Sequence, residues 1–202
     1  MPQVLKENVR ARIEDAALRC FADNGYVGTS MAAIAAAAGT APGNVYRYYP
    51  SKEVLFDTVV PGELAARHDE LLDIRVAALA PGAPNRDSAA EDLIDFWLDH
   101  RHAVVVLLDR ADGTPFVDYP TGFVQRLTDH VERALPRRPS PVQRQVLELV
   151  FDGTRRAIAR ILATPGDREH VRALITGFWS YQVPGVEGLL ASLTAELTRG
   201  CP

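Results

Sequence analysis

Aromatic and basic side chains are concentrated in one short segment of the sequence. Tyr46, Tyr48 and Tyr49 flank Arg47, and Lys52 follows within one or two helical turns. Phenol hydroxyls donate hydrogen bonds, and guanidinium and ammonium groups add positive charge, so this combination suits the binding of phosphate groups. The alternative is a group of tyrosine rings packed at the surface of a small helical domain.

A second group of polar residues, Asp-His-Arg-His at positions 99–102, suggests metal binding or acid–base catalysis, with Asp109 about two turns further on. Consecutive residues of a helix point in different directions, so this segment does not supply a tight ligand set. The sequence also lacks a Ser-His-Asp arrangement, a phosphate loop and a dinucleotide-binding fingerprint. We therefore predict no metal, no cofactor and no enzymatic activity. A helical enzyme that uses residues 99–102 stays as an alternative.

The composition indicates a folded protein without membrane spans. Of the 202 residues 47% are hydrophobic, and the apolar runs fall short of the about 20 residues that a spanning helix needs. The first twelve residues show no signal-peptide pattern, so we predict a cytoplasmic protein. Cys20 and Cys201 form neither a disulfide framework nor a metal site, and His68, His130 and His170 are expected to face solvent. The net charge of -4 does not by itself indicate nucleic-acid binding.

Apolar residues recur at helical spacing almost everywhere, and strand signals are nearly missing, so the predicted fold is all-α. A first helix carries an apolar stripe from Val9 to Phe21 and closes at Asn24-Gly25. A fourth helix begins after Ser51, and Pro61-Gly62 interrupts the chain. The remaining helices are predicted at residues 31–38, 42–49, 63–79, 89–102, 120–135, 141–162 and 168–183. A short helical piece that ends at about residue 110 is predicted after the helix at 89–102.

The three helices at the start of the chain predict a helix-turn-helix arrangement, in which the last helix enters a major groove of DNA. Val45 and Tyr49 share one face of that helix and are predicted core residues. Tyr46, Tyr48 and Lys52 are predicted to contact phosphates. Residues at the front of the helix are predicted to face base edges, namely Thr40, Ala41, Pro42, Gly43 and Asn44. Thr29 and Ser30 are the predicted caps of the second helix.

The segment FADNGYVGTSMAAIAAAAGTAPGNVYRYYPSKEVLF resembles the DNA-binding domain of the tetracycline-repressor (TetR) family. The resemblance rests on an ordered set: Phe21, Gly25-Tyr26, Thr29-Ser30, Ile34-Ala35, Ala38-Gly39, Gly43, Val45-Tyr46, Tyr48-Tyr49 and Ser51-Lys52-Glu53. It implies a homodimeric all-α transcriptional regulator, usually a repressor that leaves its DNA operator when a small molecule binds the C-terminal domain. By the same resemblance, Thr29 or Ser30, Tyr46, Tyr48 and Lys52 contact phosphates, and residues 40–44 read bases.

The segment departs from the family pattern in its second helix. Ala32 and Ala33 occupy positions where relatives often carry polar or charged residues, so they offer little direct readout of DNA. Residues 1–60 contain six basic and six acidic side chains, which gives a net charge of zero. The affinity for DNA must therefore depend on where the cations and helix N-termini lie and on doubling of the contacts in a dimer.

The predicted domains are a helix-turn-helix domain at residues 1–50, extending to about 56, and a ligand-binding and dimerisation domain at residues 51–202. Aromatic and polar residues of the second domain predict a mostly apolar ligand cavity: Phe96, Trp97, His100, Phe116, Phe123, Phe151 and Thr154. Arg101, Asp109 and Arg155 are candidate polar contacts with a charged ligand. The last two long helices are the predicted dimer interface, with Gly153, Ala157, Phe178, Trp179 and Tyr181 as its residues. A helical scaffold that binds another protein stays open as an alternative.

Overall fold

The computed structural model describes residues 2–79 and 84–199, and these residues form ten α-helices. The helices are α1 (Pro2–Gly28), α2 (Met31–Ala37), α3 (Pro42–Tyr48), α4 (Lys52–Val59), α5 (Gly62–Ala77), α6 (Arg86–Asp99), α7 (Arg101–Asp109), α8 (Tyr119–Ala134), α9 (Pro141–Ala163) and α10 (Arg168–Arg199). No strand occurs in the described ranges, and the all-α prediction is confirmed. No described helix combines the length and apolarity needed to cross a bilayer. Cys201 and part of the predicted break at residues 80–88 lie outside the described residues.

Helix α1 forms the floor of the N-terminal part, and its predicted apolar stripe is confirmed by burial. The fully buried members of the stripe are Ile13, Ala16, Ala17 and Phe21. The regular helix is interrupted at Gly25, where φ is 71° and ψ is 168°. A side chain rarely adopts this left-handed φ, so glycine ends the helix there, as the sequence predicted.

Helices α2 and α3 are short and begin in different ways. The Ser30 side chain accepts a hydrogen bond from the Ala33 amide and so caps α2. Helix α3 has no side-chain cap, but Pro42 occupies its first turn, where a proline costs no hydrogen bond. Ser51 caps α4 by accepting from the Val54 amide.

The C-terminal helices α5 to α10 share one continuous apolar core with the N-terminal helices. Helix α7 lies at its centre, and every residue from Ala103 to Leu108 is buried. It packs on α1 and on α9, because a helix that is apolar on all sides must be covered on all sides.

Helix α10 is longer than the sequence predicted. It runs past Pro184 to Arg199, whereas the predicted helix ended at residue 183. A proline removes one backbone hydrogen bond, and this normally ends or kinks a helix. The residues beyond it repay that cost by packing, since Val186, Leu190 and Leu193 lie against the core.

His68 is fully buried, so the prediction that it faces solvent is wrong. The Trp97 indole donates to His68 Nε2 at 2.8 Å, and His68 Nδ1 lies 2.7 Å from the Tyr119 hydroxyl. The indole N–H is only a donor, so Nε2 must accept and the ring is neutral. Tyr119 in turn donates to Asp69 at 2.7 Å, and Arg126 donates to the other oxygen of that carboxylate at 2.8 Å. We call these five residues the His68 chain.

The His68 chain makes the stability of the protein depend on pH. Burial, with a smaller effect of Arg126, lowers the pKa of His68 from 6.5 to about 4. Below pH 6.5 the unfolded chain binds a proton at this residue and the folded chain does not, so stability falls as the pH falls towards 4. We expect His68 to remove at most about 2 kcal/mol of unfolding free energy between pH 6.5 and 5.

Urea denaturation of the wild type and of His68→Gln at several pH values measures this contribution. The variant should show a shallower decline, while His102 and His130, whose pKa values burial also lowers, act equally in both proteins. His100→Gln, a change at an exposed histidine, should keep the wild-type decline. Equal declines in the wild type and His68→Gln would contradict the assignment.

Candidate DNA-binding surface

Helix α1 holds the turn between α2 and α3 through hydrogen bonds. Gly39 adopts a φ of 62°, and the Thr40 amide donates to the Ala35 carbonyl at 3.0 Å. The Arg12 guanidinium donates to the carbonyl of Ala38 and, at 3.1 Å, to that of Gly39. A cation at the C-terminal end of a helix satisfies its last carbonyls and opposes its dipole. Arg12 therefore fixes the direction in which α3 leaves the turn.

The front of α3 is open to solvent. Ala41, Pro42, Gly43 and Asn44 are exposed, and Thr40 is half-buried. The Asn44 side-chain amide donates to the Thr40 hydroxyl at 3.0 Å. This bond uses one of the two amide hydrogens, so the other hydrogen and the carbonyl oxygen of Asn44 stay available for a base edge.

The two faces of α3 are separated as predicted. Val45 is 0% exposed and Tyr49 is 3% exposed, which confirms them as core residues. Tyr46 is 53% exposed and Arg47 is also exposed, while Tyr48 is half-buried against the core. Arg47 has no ion pair within the described residues. The DNA contacts predicted from the sequence did not include it. Its position between two tyrosines was the signal that pointed to it.

Tyr49 attaches the C-terminal end of α3 to α1. Its hydroxyl donates to Glu14, and Arg10 donates to the same hydroxyl at 3.2 Å. Burial and the bond to Glu14 raise the pKa of Tyr49 to about 12. The hydroxyl is therefore protonated at neutral pH and serves as a link between helices, whereas the Tyr46 hydroxyl faces outwards.

Lys52 has partners that the sequence did not predict. Its ammonium donates to the carbonyls of Tyr26 at 2.8 Å and Thr29 at 2.9 Å, and it lies 4.1 Å from the centre of the Tyr26 ring. The Tyr26 hydroxyl donates to Glu53 at 3.0 Å. Two of the three ammonium hydrogens therefore join the end of α1 to the start of α4, and one stays available.

Thr29 lies in a different environment from the one predicted. It is 3% exposed, and its hydroxyl lies within hydrogen-bond distance of the carbonyls of Cys20 at 2.9 Å and Gly25 at 2.7 Å. The interruption at Gly25 leaves carbonyls of the last turn of α1 within reach of this hydroxyl, whose single hydrogen is donated inside the protein. The cap of α2 is Ser30 alone, and the Thr29 side chain is turned away from the surface.

A cavity of about 280 Å³ lies among α5, α6, α8, α9 and α10. Four of the predicted ligand residues form part of its wall: Trp97, Phe123, Phe151 and Thr154. His130, also predicted to face solvent, is a half-buried residue of the same wall. Phe96, His100 and Phe116 do not line this cavity.

The three predicted ligand residues outside the cavity have other neighbours. Phe96 stacks on His68 with ring centres 5.8 Å apart and also contacts the exposed His100. The ring centre of Phe116 lies 6.3 Å from that of Phe56, in a cluster of rings that joins α4 to the segment after α7. The candidate polar contacts are also engaged elsewhere: Arg101 donates to the carbonyls of Leu162, Thr164 and Gly166, and Arg155 binds Asp109 and Asp152.

The predicted dimer residues fall into two groups. Trp179 lines the cavity and packs edge-on against Trp97 with ring centres 5.5 Å apart, so it faces inwards. Phe178 is half-buried against the core. Tyr181 is 77% exposed on α10, and on α9 Gly153 is exposed and Ala157 is half-buried.

Residues 99–102 do not come together as a chemical site. Asp99 forms an ion pair with Arg168, and Arg101 is used by the carbonyls at the end of α9. Across the described ranges, no three His, Cys, Asp or Glu side chains are grouped so that they could hold a metal ion.

Known proteins resemble this chain in its N-terminal part and, in one case, over most of its length. The model of the family described as bacterial regulatory proteins, tetR family, matches residues 13–59. An HTH-type transcriptional repressor of Mycobacterium tuberculosis, Rv1474c, is 30% identical over 196 residues, which covers 87% of this chain and 95% of that protein. The HTH-type transcriptional regulator BetI of Rhizobium meliloti is 35% identical over 82 residues, 40% of each chain.

Among solved structures, a tetR-family transcriptional regulator from Streptomyces coelicolor is 20% identical, with a TM-score of 0.40, over 97% of this chain and 90% of that one. The repressor from Mycobacterium tuberculosis matches almost from end to end, and the family model covers α2, α3 and α4. The chain therefore belongs to the tetR family of bacterial regulatory proteins and is a helix-turn-helix, DNA-binding transcriptional regulator.

Proposed function

We propose that the protein is a cytoplasmic, homodimeric repressor without catalytic activity that binds a palindromic DNA operator and leaves it when a small molecule fills the C-terminal cavity. Residues 1–50, with the start of α4, form the DNA-binding domain, and residues 51–202 form the domain for ligand binding and dimerisation. The observation that carries the proposal is the two-sided α3, which buries Val45 and exposes Asn44, Tyr46 and Arg47, while Tyr49 at its C-terminal end is also buried.

The DNA contacts follow from the orientation of α3. Thr40, Ala41, Pro42, Gly43 and Asn44 face base edges in the major groove, and Asn44 keeps one free amide hydrogen and its carbonyl oxygen for them. Tyr46, Tyr48 and Ser30 contact phosphates at the sides of the groove, and Arg47 adds a positive charge. Lys52 acts mainly by holding α4 against the end of α1, and its remaining hydrogen faces the phosphates.

The outer face of the α9 and α10 pair supports a dimer. The two helices run antiparallel, since Gln182 bonds to Thr154 and Gln143 bonds to Glu196. On α9 the exposed apolar residues recur at spacings of four and three and lead to Gly153 and Ala157: Val142, Val146 and Leu149. On α10 a row of exposed positions at similar spacing carries no charge: Gly177, Tyr181, Gly185, Gly188 and Ser192.

A second copy of the chain is the partner that matches this face. An interface with twofold symmetry pairs one patch with itself, and small uncharged residues let the helices of two copies approach closely. In such a dimer the two α3 helices reach half-sites about 34–36 Å apart, one turn of the double helix. The operator should therefore be a palindrome.

The path from the cavity to the DNA-binding domain runs through α5. Leu72, Arg75 and Val76 of α5 line the cavity, and Val60 and Pro61 join α5 directly to α4. In the proposed release, a ligand shifts α5, and α4 then changes the spacing of the two α3 helices. The coupling free energy between such sites is typically about 1–3 kcal/mol.

Gel retardation with DNA that flanks the gene tests the DNA-binding proposal. Tyr46→Phe and Arg47→Ala should weaken binding to every sequence, each by about tenfold, because each loses a contact with a charged phosphate. Arg47→Ala should also lower the slope of affinity against salt by about one unit. Asn44→Ala should instead change the preference at one base position.

Arg67→Ala is the matched control for these variants, because Arg67 is an exposed arginine on α5 paired with Glu70. It should bind DNA like the wild type. The proposal fails if no genomic fragment is retarded at low salt. The division into phosphate and base contacts fails if the three substitutions have the same effect.

Light scattering tests the dimer. Leu149→Glu or Tyr181→Glu places a charge in the proposed seam, and burial of an unpaired charge costs about 3 kcal/mol or more. We expect the dissociation constant to rise by at least about a hundredfold, so that the mass halves at micromolar concentration.

Val117→Glu is the control for the dimer variants, since Val117 is 51% exposed in the segment between α7 and α8. It should stay a dimer. A wild type that is monomeric throughout, or seam variants that keep the dimer mass, would contradict the proposed interface.

A further inference from the structure

The cavity wall is mostly apolar and contains both tryptophans of the chain, Trp97 and Trp179. Phe123 and Phe151 add two more rings, and aliphatic residues complete the wall. A volume of about 280 Å³ is close to the lower end of the range for small-molecule pockets, which is about 300–1,000 Å³. The cavity therefore has room for a compact, largely apolar molecule.

One cation on this wall, Arg75, has no ion-pair partner among the described residues. Arg75 is 8% exposed, and within the described ranges no carboxylate lies at ion-pair distance from it. Its guanidinium lies 4.9 Å from the centre of the Trp179 ring and donates one long hydrogen bond, at 3.5 Å, to the Arg86 carbonyl. A guanidinium has five N–H groups, so most of the Arg75 donors have no acceptor among the residues that the structure describes.

Asp87 and Glu187 favour the charged form of Arg75, but neither lies at ion-pair distance from it. Glu187 forms an ion pair with Arg86 at the edge of the cavity. Burial and the nearby Arg133 lower the pKa of His130, so its ring is neutral at pH 7. A buried cation without a counter-ion is costly, and a ligand that brings the missing anion removes this cost.

We propose that the cavity binds a medium-sized apolar molecule with a single anionic group, a carboxylate in its simplest form, which pairs with Arg75. This inference deepens the proposed function, because it names the chemical class of the ligand that releases the operator. The apolar part lies against the Trp97 and Trp179 rings and the aliphatic residues of the wall, and the carboxylate accepts bidentate hydrogen bonds from the guanidinium. Arg75 belongs to the last turn of α5, so the bond acts on the helix that leads to α4.

Tryptophan fluorescence tests the ligand class without DNA, because both tryptophans lie on the cavity wall. The full-length protein is titrated with decanoate, 1-decanol and decylammonium, which share one apolar chain and differ in charge. Decanoate should bind at least about tenfold more tightly than decanol, a difference of about 1.4 kcal/mol. Decylammonium should bind more weakly than decanol, because it repels Arg75.

The variant Arg75→Met keeps a long apolar side chain and removes the charge. It should lower the affinity for decanoate to that for decanol and leave the affinity for decanol unchanged. Arg67→Met, on the exposed side of the same helix, should behave like the wild type. If Arg75→Met does not fold, the order of the three probes on the wild type decides the question.

Several results would overturn the proposed ligand class. These are equal binding of decanoate and decanol, preference for decylammonium, no fluorescence change with any probe, or unchanged affinity of Arg75→Met for decanoate. Addition of decanoate to the complex with the operator separates this proposal from the proposed function. Binding in the cavity without release of DNA supports the ligand class and contradicts the release mechanism.

Discussion

The structure depends most on how the short helix α3 is held, because seven residues cannot keep a helical form in water by themselves. Burial of Val45 and Tyr49 supplies the packing, and Arg12 fixes the turn from which α3 starts. Every interaction that orients the helix lies on its inner side. The outer side chains therefore point in a fixed direction and are not used for folding. This matters because the first 60 residues carry no net charge, so DNA binding must depend on where individual side chains lie.

Much of the fold could be predicted because helix boundaries depend on local signals. Glycine at a left-handed φ ended α1, proline opened α3 and α9, and serine capped α2, α4 and α9. The prediction failed where a distant contact decided the outcome. Helix α10 continues through Pro184 because the residues after it reach the core, and His68 is buried because Trp97 and Tyr119 supply its partners. Neither partner is visible as a pattern near the residue itself.

The candidate ligand site shows the same limit at the scale of single residues. An aromatic pair such as Phe96-Trp97 predicts that one ring faces the interior, but only the rotation of α6 in the packed structure decides which ring reaches the cavity. Trp97 does, whereas Phe96 stacks on His68. Arg75 could not be singled out, since an arginine in the last turn of a helix usually faces solvent and stabilises the helix dipole. Its burial, and the distance that separates it from the carboxylates of the described residues, are properties of the assembled core.

In the proposed release, the His68 chain couples the position of α5 to the occupancy of the cavity. Trp97 contributes its ring to the wall and its N–H to His68, and the indole has no second donor with which to change partners. The direction of hydrogen-bond donation is then fixed along the chain from Trp97 to Asp69, and Asp69 lies on α5. A shift of the tryptophan ring must either break a buried hydrogen bond or move α5 with it. Breaking the bond costs about 1–3 kcal/mol, which is as large as a typical coupling free energy between two sites.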